Sequence, residues 1–138
     1  MKRRKFIIKS GAIVGLAVVA PSLFLESCAK GGASPSAPNV NFTIDLSSSK
    51  YQSLNTVGNY IYKNNVIVVN TTQGFIALSK ICTHQGCTVA YNKHADDLQC
   101  PCHGAVYNDS GKVMGGPAPT PLKKYSVVKN GNILTIKG

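Results

Sequence analysis

Tyr125-Ser126-Val127-Val128-Lys129-Asn130-Gly131-Asn132-Ile133-Leu134-Thr135-Ile136 is the stretch that sets the fold class. Two runs rich in β-branched and aromatic residues flank Asn-Gly. Between apolar runs that dipeptide is the strongest short hairpin signal, because both residues tolerate positive φ. The same signature recurs upstream, where Tyr60-Ile61-Tyr62 and Val66-Ile67-Val68-Val69 flank Lys63-Asn64-Asn65. Phe75-Ile76-Ala77-Leu78 follows a turn at Gly74. Asn41-Phe42-Thr43-Ile44-Asp45-Leu46 alternates polar with apolar residues, as a half-buried strand does. No stretch keeps a helical period. Short strands at close spacing, with turn signals between them, predict an all-β domain over residues 41–138, a small antiparallel β-sandwich or barrel.

Two boxes interrupt this pattern: Cys82-Thr83-His84-Gln85-Gly86-Cys87 and Cys100-Pro101-Cys102-His103-Gly104. They hold four of the five cysteines and two of the three histidines. Cys-x-His and Cys-x-x-His each set two ligand side chains on one tight loop, with Gly86 and Gly104 to turn the backbone. Two thiolates and two neutral imidazoles suit either Zn²⁺ or an iron–sulfur centre. Structural zinc sites typically begin Cys-x₂₋₄-Cys, which the first box does not match. Zinc also gives the additional cysteine of each box no purpose, and a dithiol redox site leaves the histidines unexplained. A non-redox zinc module remains the competing reading.

The two boxes resemble the cluster loops of Rieske [2Fe–2S] proteins, above all the Rieske subunits of quinol–cytochrome complexes of the bc and b6f type. The resemblance covers residues 75–120 closely and the remaining strands by pattern alone. It implies a Rieske-type fold with two cluster-binding loops. It implies further that Cys82 and Cys100 bind one iron of the cluster and His84 and His103 the other. A Cys87–Cys102 disulfide tying the loops together also follows from the resemblance; Rieske ferredoxins and oxygenase Rieske domains typically lack that pair. Gly116-Pro117-Ala118-Pro119 resembles the family's proline loop, a cover over the cluster. Pro117 and Pro119 stiffen such a segment and remove backbone donors. Family members of high potential often continue Gly-Ser-x-Tyr after the second histidine. Here the run is Gly104-Ala105-Val106-Tyr107, which keeps Tyr107 as a donor to a cysteine sulfur and leaves Ala105 without the serine hydroxyl. Hydrogen bonds to sulfur are one of the protein's levers on potential. His94, in Asn92-Lys93-His94-Ala95-Asp96-Asp97, reads as an exposed loop residue rather than a ligand. No catalytic constellation accompanies the boxes, so the head reads as a one-electron carrier rather than a complete enzyme.

The N-terminus has a different composition. Lys2, Arg3, Arg4, Lys5 and Lys9 precede an uncharged run from Ser10 to Leu25. A basic start and an apolar run form the layout of a secretory signal, and a spanning helix needs about 20 apolar residues. Lys2-Arg3-Arg4-Lys5-Phe6-Ile7-Ile8-Lys9 resembles a twin-arginine signal, which implies export of an already folded domain. Leu25-Glu26-Ser27-Cys28 resembles a bacterial lipobox, with Glu26 as its departure, and implies lipidation of Cys28. The alternatives are a Sec signal and an uncleaved N-terminal anchor. Residues 29–40 are small, polar and rich in Gly and Pro, a linker with a coil span of roughly 20 Å. The expected organisation is therefore a signal over 1–27, a linker over 28–40 and the head over 41–138, on the periplasmic side of a bacterial membrane.

Beyond Cys28 the chain carries ten lysines and four carboxylates, a formal charge of +6. There is no dense basic block and no interleaved aromatic stripe, which argues against a nucleic-acid partner. A mildly basic surface suits an acidic protein or an anionic membrane. The expected partners are redox proteins, a cytochrome or a quinol-oxidising complex. The small Rieske subunit of a periplasmic molybdenum enzyme of the arsenite oxidase type is the alternative assembly.

Overall fold

The structure is a computed structural model that describes residues 39–138; the predicted signal, Cys28 and the linker up to residue 38 lie outside the described residues. The described residues form ten strands: β1 (Asn41–Asp45), β2 (Tyr60–Lys63), β3 (Val66–Thr71), β4 (Gly74–Ser79), β5 (Ala90–Asn92), β6 (Asp97–Gln99), β7 (Val106–Tyr107), β8 (Val113–Gly115), β9 (Lys124–Asn130) and β10 (Ile133–Lys137). One short 3₁₀ turn, Gln52–Asn55, joins β1 to β2. Among the described residues no helix is long and apolar enough to cross a membrane.

The strands make two antiparallel sheets. The large sheet has the order β1-β10-β9-β4-β3-β2 and the small one β5-β6-β7-β8. The large sheet curls until its two edges approach: Lys63 Nζ on β2 donates to the Thr43 carbonyl on β1 at 2.9 Å. The all-β class is therefore as expected, and all six strands read from the sequence are the six of the large sheet.

β3 explains how the sheets stack. Its unbroken apolar run is buried at every position. Val66 and Val68 face one core with Phe42, Ile44, Leu134 and Ile136, while Ile67 and Val69 face a second core with Leu98, Ala105, Tyr107 and Leu122. Side chains alternate along a strand, so a strand covered on both faces must be apolar throughout. Each such side chain contributes about 1.5–3 kcal/mol when fully buried. The second core is the floor on which the small sheet and both boxes stand.

The turns follow the expected chemistry, with each hairpin loop beginning one residue later than read. Lys63 pairs with Val66, so Lys63 belongs to the strand and Asn64 and Asn65 form the loop, at φ of 49° and 62°. Two positive φ values in a two-residue hairpin match the twist of the strands on either side. In the last hairpin Asn130 pairs with Ile133, so the loop is Gly131-Asn132 rather than Asn130-Gly131. Only Gly131 has positive φ, at 57°, the arrangement that places glycine first in the turn.

Candidate metal centre

Both boxes fold into the same backbone frame. In the first, Cys82 N–H donates to the Cys87 carbonyl at 2.7 Å and Gly86 N–H to the Cys82 carbonyl at 2.9 Å. In the second, Cys100 N–H donates to the Ala105 carbonyl at 2.8 Å and Gly104 N–H to the Cys100 carbonyl at 3.0 Å. Gly86 and Gly104 hold equivalent places at φ of 78° and 76°, which a residue with a Cβ adopts only under strain. On this shared frame Cys82 matches Cys100, whereas Cys102 takes the place of His84 and His103 falls one residue later. The first loop leaves β4 and enters β5; the second joins β6 to β7.

The four residues read as ligands come together in pairs. Cys82 and Cys100 are unbridged thiols, both buried, and Cys100 is among the groups that act on the Cys82 thiol. The rings of His84 and His103 stand edge to face with centroids 4.7 Å apart. His84 Nδ1 is buried and has no hydrogen-bond partner among the described residues. Buried polar atoms are normally paired, and an imidazole nitrogen left open has the chemistry of a metal ligand.

Cys87 and Cys102 form a disulfide with Cα atoms 6.5 Å apart, and it cross-links the two loops. The sulfurs of Cys87, Cys100 and Cys102 all lie within 4.8 Å of one another. That trio is not a ligand set, because two of its sulfurs are bonded to each other. It places Cys100 directly against the bridge.

Tyr107 organises the other side. Its hydroxyl is 3.3 Å from Cys82 Sγ, accepts from Thr83 N–H at 3.2 Å, and lies 3.1 Å from Thr83 Oγ1. The Thr83 hydroxyl donates to the Thr120 carbonyl at 2.6 Å. Burial pushes the Cys82 thiol up, but hydrogen bonds from Tyr107, the His84 N–H, Cys100 and the Gln85 N–H outweigh it, and Cys82 is held below the usual thiol range. Burial, followed by the contact with Cys82, raises the Tyr107 phenol. The site thus favours thiolate on sulfur and a retained proton on the phenol, a donor facing an anion. Thr83 and Thr120 escaped the sequence reading; Thr83 lies inside the first box, but nothing local signals a bond across 37 residues.

The proline loop closes on the second box at Gly116. A Cβ there would lie 2.6 Å from both Ala105 Cα and the Gly104 carbonyl oxygen, so only glycine allows this approach. Ala105 is buried. Pro117 and Pro119 are exposed, and Ala118 between them packs onto the second core. His94 is exposed in the β5–β6 turn, away from both boxes.

The family described as the Rieske [2Fe–2S] domain matches residues 41–126. The chain belongs to that family. Its cofactor is accordingly a [2Fe–2S] cluster, the group through which a Rieske domain transfers electrons. The two buried thiols, the facing histidines and the open His84 nitrogen fit that group. The chain is 50% identical over 70 residues to the cytochrome b6-f complex iron–sulfur subunit of Chlorobaculum tepidum, a match covering 50% of this chain and 39% of that one. It is 30% identical over 136 residues to the cytochrome b6-f complex iron–sulfur subunit 1 of a Nostoc species, covering 88% of this chain and 76% of the relative. For the first curated relatives the matched stretch spans only 39% and 41% of their length. Among solved structures, the ferredoxin of carbazole 1,9a-dioxygenase from Nocardioides aromaticivorans has a TM-score of 0.52 at 20% identity, covering 61% of this chain and 90% of that one. That likeness concerns the fold.

Proposed function

We propose that this chain is a single-electron carrier tethered at the periplasmic face of a bacterial membrane, with Cys82 and Cys100 as thiolate ligands to one iron and His84 and His103 as imidazole ligands to the other. The observation that supports the assignment is a pair of buried free thiols and a pair of facing histidine rings on two loops joined by a disulfide, with His84 Nδ1 buried and unpartnered. When bound, a [2Fe–2S] group with two histidine ligands exchanges one electron at about −150 to +300 mV. The rest of the site belongs to the chain. Tyr107 donates to the Cys82 sulfur and so favours the state with more negative charge there. The Cys87–Cys102 bridge holds the loops in register. Gly116 lets the proline loop cover the second box and exclude water. His103 is exposed, which makes the histidine side the outlet for the electron.

The export and anchoring part of the proposal rests on the sequence of residues 1–40: a signal over 1–27 with Arg3-Arg4, lipid at Cys28, and a short linker. The names of the relatives support a place beside a cytochrome, as a subunit of a quinol-oxidising or other respiratory oxidoreductase. Protein-film voltammetry on the holo-protein tests the electron-transfer role: one reversible one-electron wave in the Rieske range is expected, and a protein without a wave contradicts it. Arg3→Lys with Arg4→Lys should strand the precursor in the cytoplasm, and Cys28→Ala should abolish lipid labelling. Undiminished export or persistent label contradicts the corresponding part.

A further inference from the structure

The two boxes are rooted differently. The second grows from the middle of the small sheet: it joins β6 to β7, which have β5 and β8 on their outer sides. The pairs Leu98–Tyr107 and Gln99–Val106 continue into the bond from Cys100 N–H to the Ala105 carbonyl. The stem of the first box lies outside both sheets. It is one isolated bridge, Ile81 with Thr88, set between the bond from Val89 N–H to the Lys80 carbonyl at 2.8 Å and that from Cys82 N–H to Cys87. Regions with so few backbone bonds sit at the low-stability end of a fold unless something outside holds them.

The β2–β3 hairpin supplies that hold. On one side of the stem's root Lys80 N–H donates to the Asn65 carbonyl at 3.0 Å. On the other side the Tyr62 hydroxyl donates to the Val89 carbonyl at 2.7 Å. Both contacts come from one tight hairpin, in which Tyr62 pairs with Ile67 and Asn65 lies in the two-residue loop. Burial first, then Tyr60, push the Tyr62 phenol up to about 12, so the hydroxyl keeps its proton for the carbonyl. Its ring stands edge to face with Tyr60, centroids 5.5 Å apart, and Lys80 Nζ lies 5.8 Å from its centroid. Tyr62 is 42% exposed, so it serves as a latch on the loop more than as a filler of the core. Val89, its acceptor, is buried in the second core together with Cys82 and Cys100.

We propose that the β2–β3 hairpin is the footing of the first ligand loop and that Tyr62 is a positioning residue, its hydroxyl setting through Val89 where Cys82 and His84 stand. The inference rests on the electron-carrier reading and adds to it a residue outside both boxes. Removing the hydroxyl loosens the first box while the second keeps its sheet. Slack in the first box lengthens the contact between Cys82 Sγ and the Tyr107 hydroxyl, 3.3 Å as it stands. A weaker bond to that sulfur disfavours the more negative, reduced state, and the potential falls.

The test is Tyr62→Phe in the holo-protein, which keeps the ring and removes only the hydroxyl. Hydrogen exchange read by mass spectrometry compares the peptides covering residues 80–89 and 99–107. One lost hydrogen bond should speed exchange in the first by about two- to tenfold and leave the second unchanged. The midpoint potential should fall, as it does on loss of the Tyr107 hydroxyl, but by a smaller amount. Tyr51→Phe removes a phenol packed against the first core and should change neither readout. Equal acceleration in both peptides would mean a general loss of stability, and unchanged exchange over 80–89 would mean that the stem holds itself; either result overturns the proposal. So would an unmoved potential in a protein whose first box exchanges faster. Wild-type protein without iron would contradict the electron-carrier reading instead, and the exchange contrast between the boxes would still decide what the first one stands on.

Discussion

The large and small sheets of this head are ordered by different means. The large sheet has strands of four to seven residues, and its core is apolar, mainly aliphatic with Phe42 and Tyr125. The small sheet has strands of two or three residues. Its shared core includes Cys82, Cys100, Ala105 and Tyr107. A two-residue strand contributes too few backbone bonds to hold itself, so a disulfide, a phenol and a close glycine contact do that work. The residues that prepare the site are therefore also those that hold the small sheet, and the division can be broken one contact at a time.

Cys82→Ala should have the largest effect. Removing one thiolate should abolish cluster binding, while the large sheet keeps its strands. Loss of the visible absorption with a retained far-ultraviolet strand spectrum is expected; concerted collapse of both would show that the sheets are not separable in this way.

Cys87→Ser comes next. The bridge closes a separation of 15 residues, for which the chain-entropy estimate is about 3 kcal/mol. The holo-protein should lose its cluster faster and melt at lower temperature, with the loss centred on the small sheet by hydrogen exchange. Protection lost first in β1 and β10 would contradict the comparison.

A smaller, purely local effect belongs to Tyr107→Phe. A hydrogen bond worth about 1.4 kcal/mol more in the reduced state corresponds to about 59 mV for one electron. The midpoint potential should fall by tens of millivolts, and Ala105→Ser should move it the other way. A Tyr107→Phe shift below about 10 mV would mean that the 3.3 Å contact with Cys82 has no electronic consequence.

The smallest effect is expected far from the boxes. Burial first, then Asp96, Asp109 and Asp97, push the Tyr91 phenol up to about 12. The raised value favours the fold below the ordinary phenol range, near pH 10, and that contribution is lost as pH climbs towards 12. The stability difference between wild type and Tyr91→Phe should therefore shrink over that window in alkaline denaturation. A difference that stayed constant would contradict the assigned environment.

The same contrast governs what could be read from the chain. The large sheet was legible because Val66-Ile67-Val68-Val69, Phe75-Ile76-Ala77-Leu78 and the two hairpin turns carry local signals. Both hairpin turns were read one residue early, because Lys63 extends β2 and Asn130 extends β9 instead of turning. The small sheet was not legible: Val106–Tyr107 and Asp97–Gln99 are too short to show a period. The boxes were legible because the candidate ligands lie two or three residues apart within each. The Thr83–Thr120 bond and the contact of Gly116 with Ala105 depend on topology, and no local pattern announces them.

The central claim is that Cys82, His84, Cys100 and His103 hold a [2Fe–2S] cluster. Iron and acid-labile sulfide analysis of natively expressed protein, with an EPR spectrum of the reduced form, tests it most directly. Two irons and two sulfides per chain with a Rieske-type signal are predicted for the wild type, with the signal lost in His84→Ala and retained in His94→Ala. One zinc per chain without sulfide, or a signal that survives loss of His84, would contradict it.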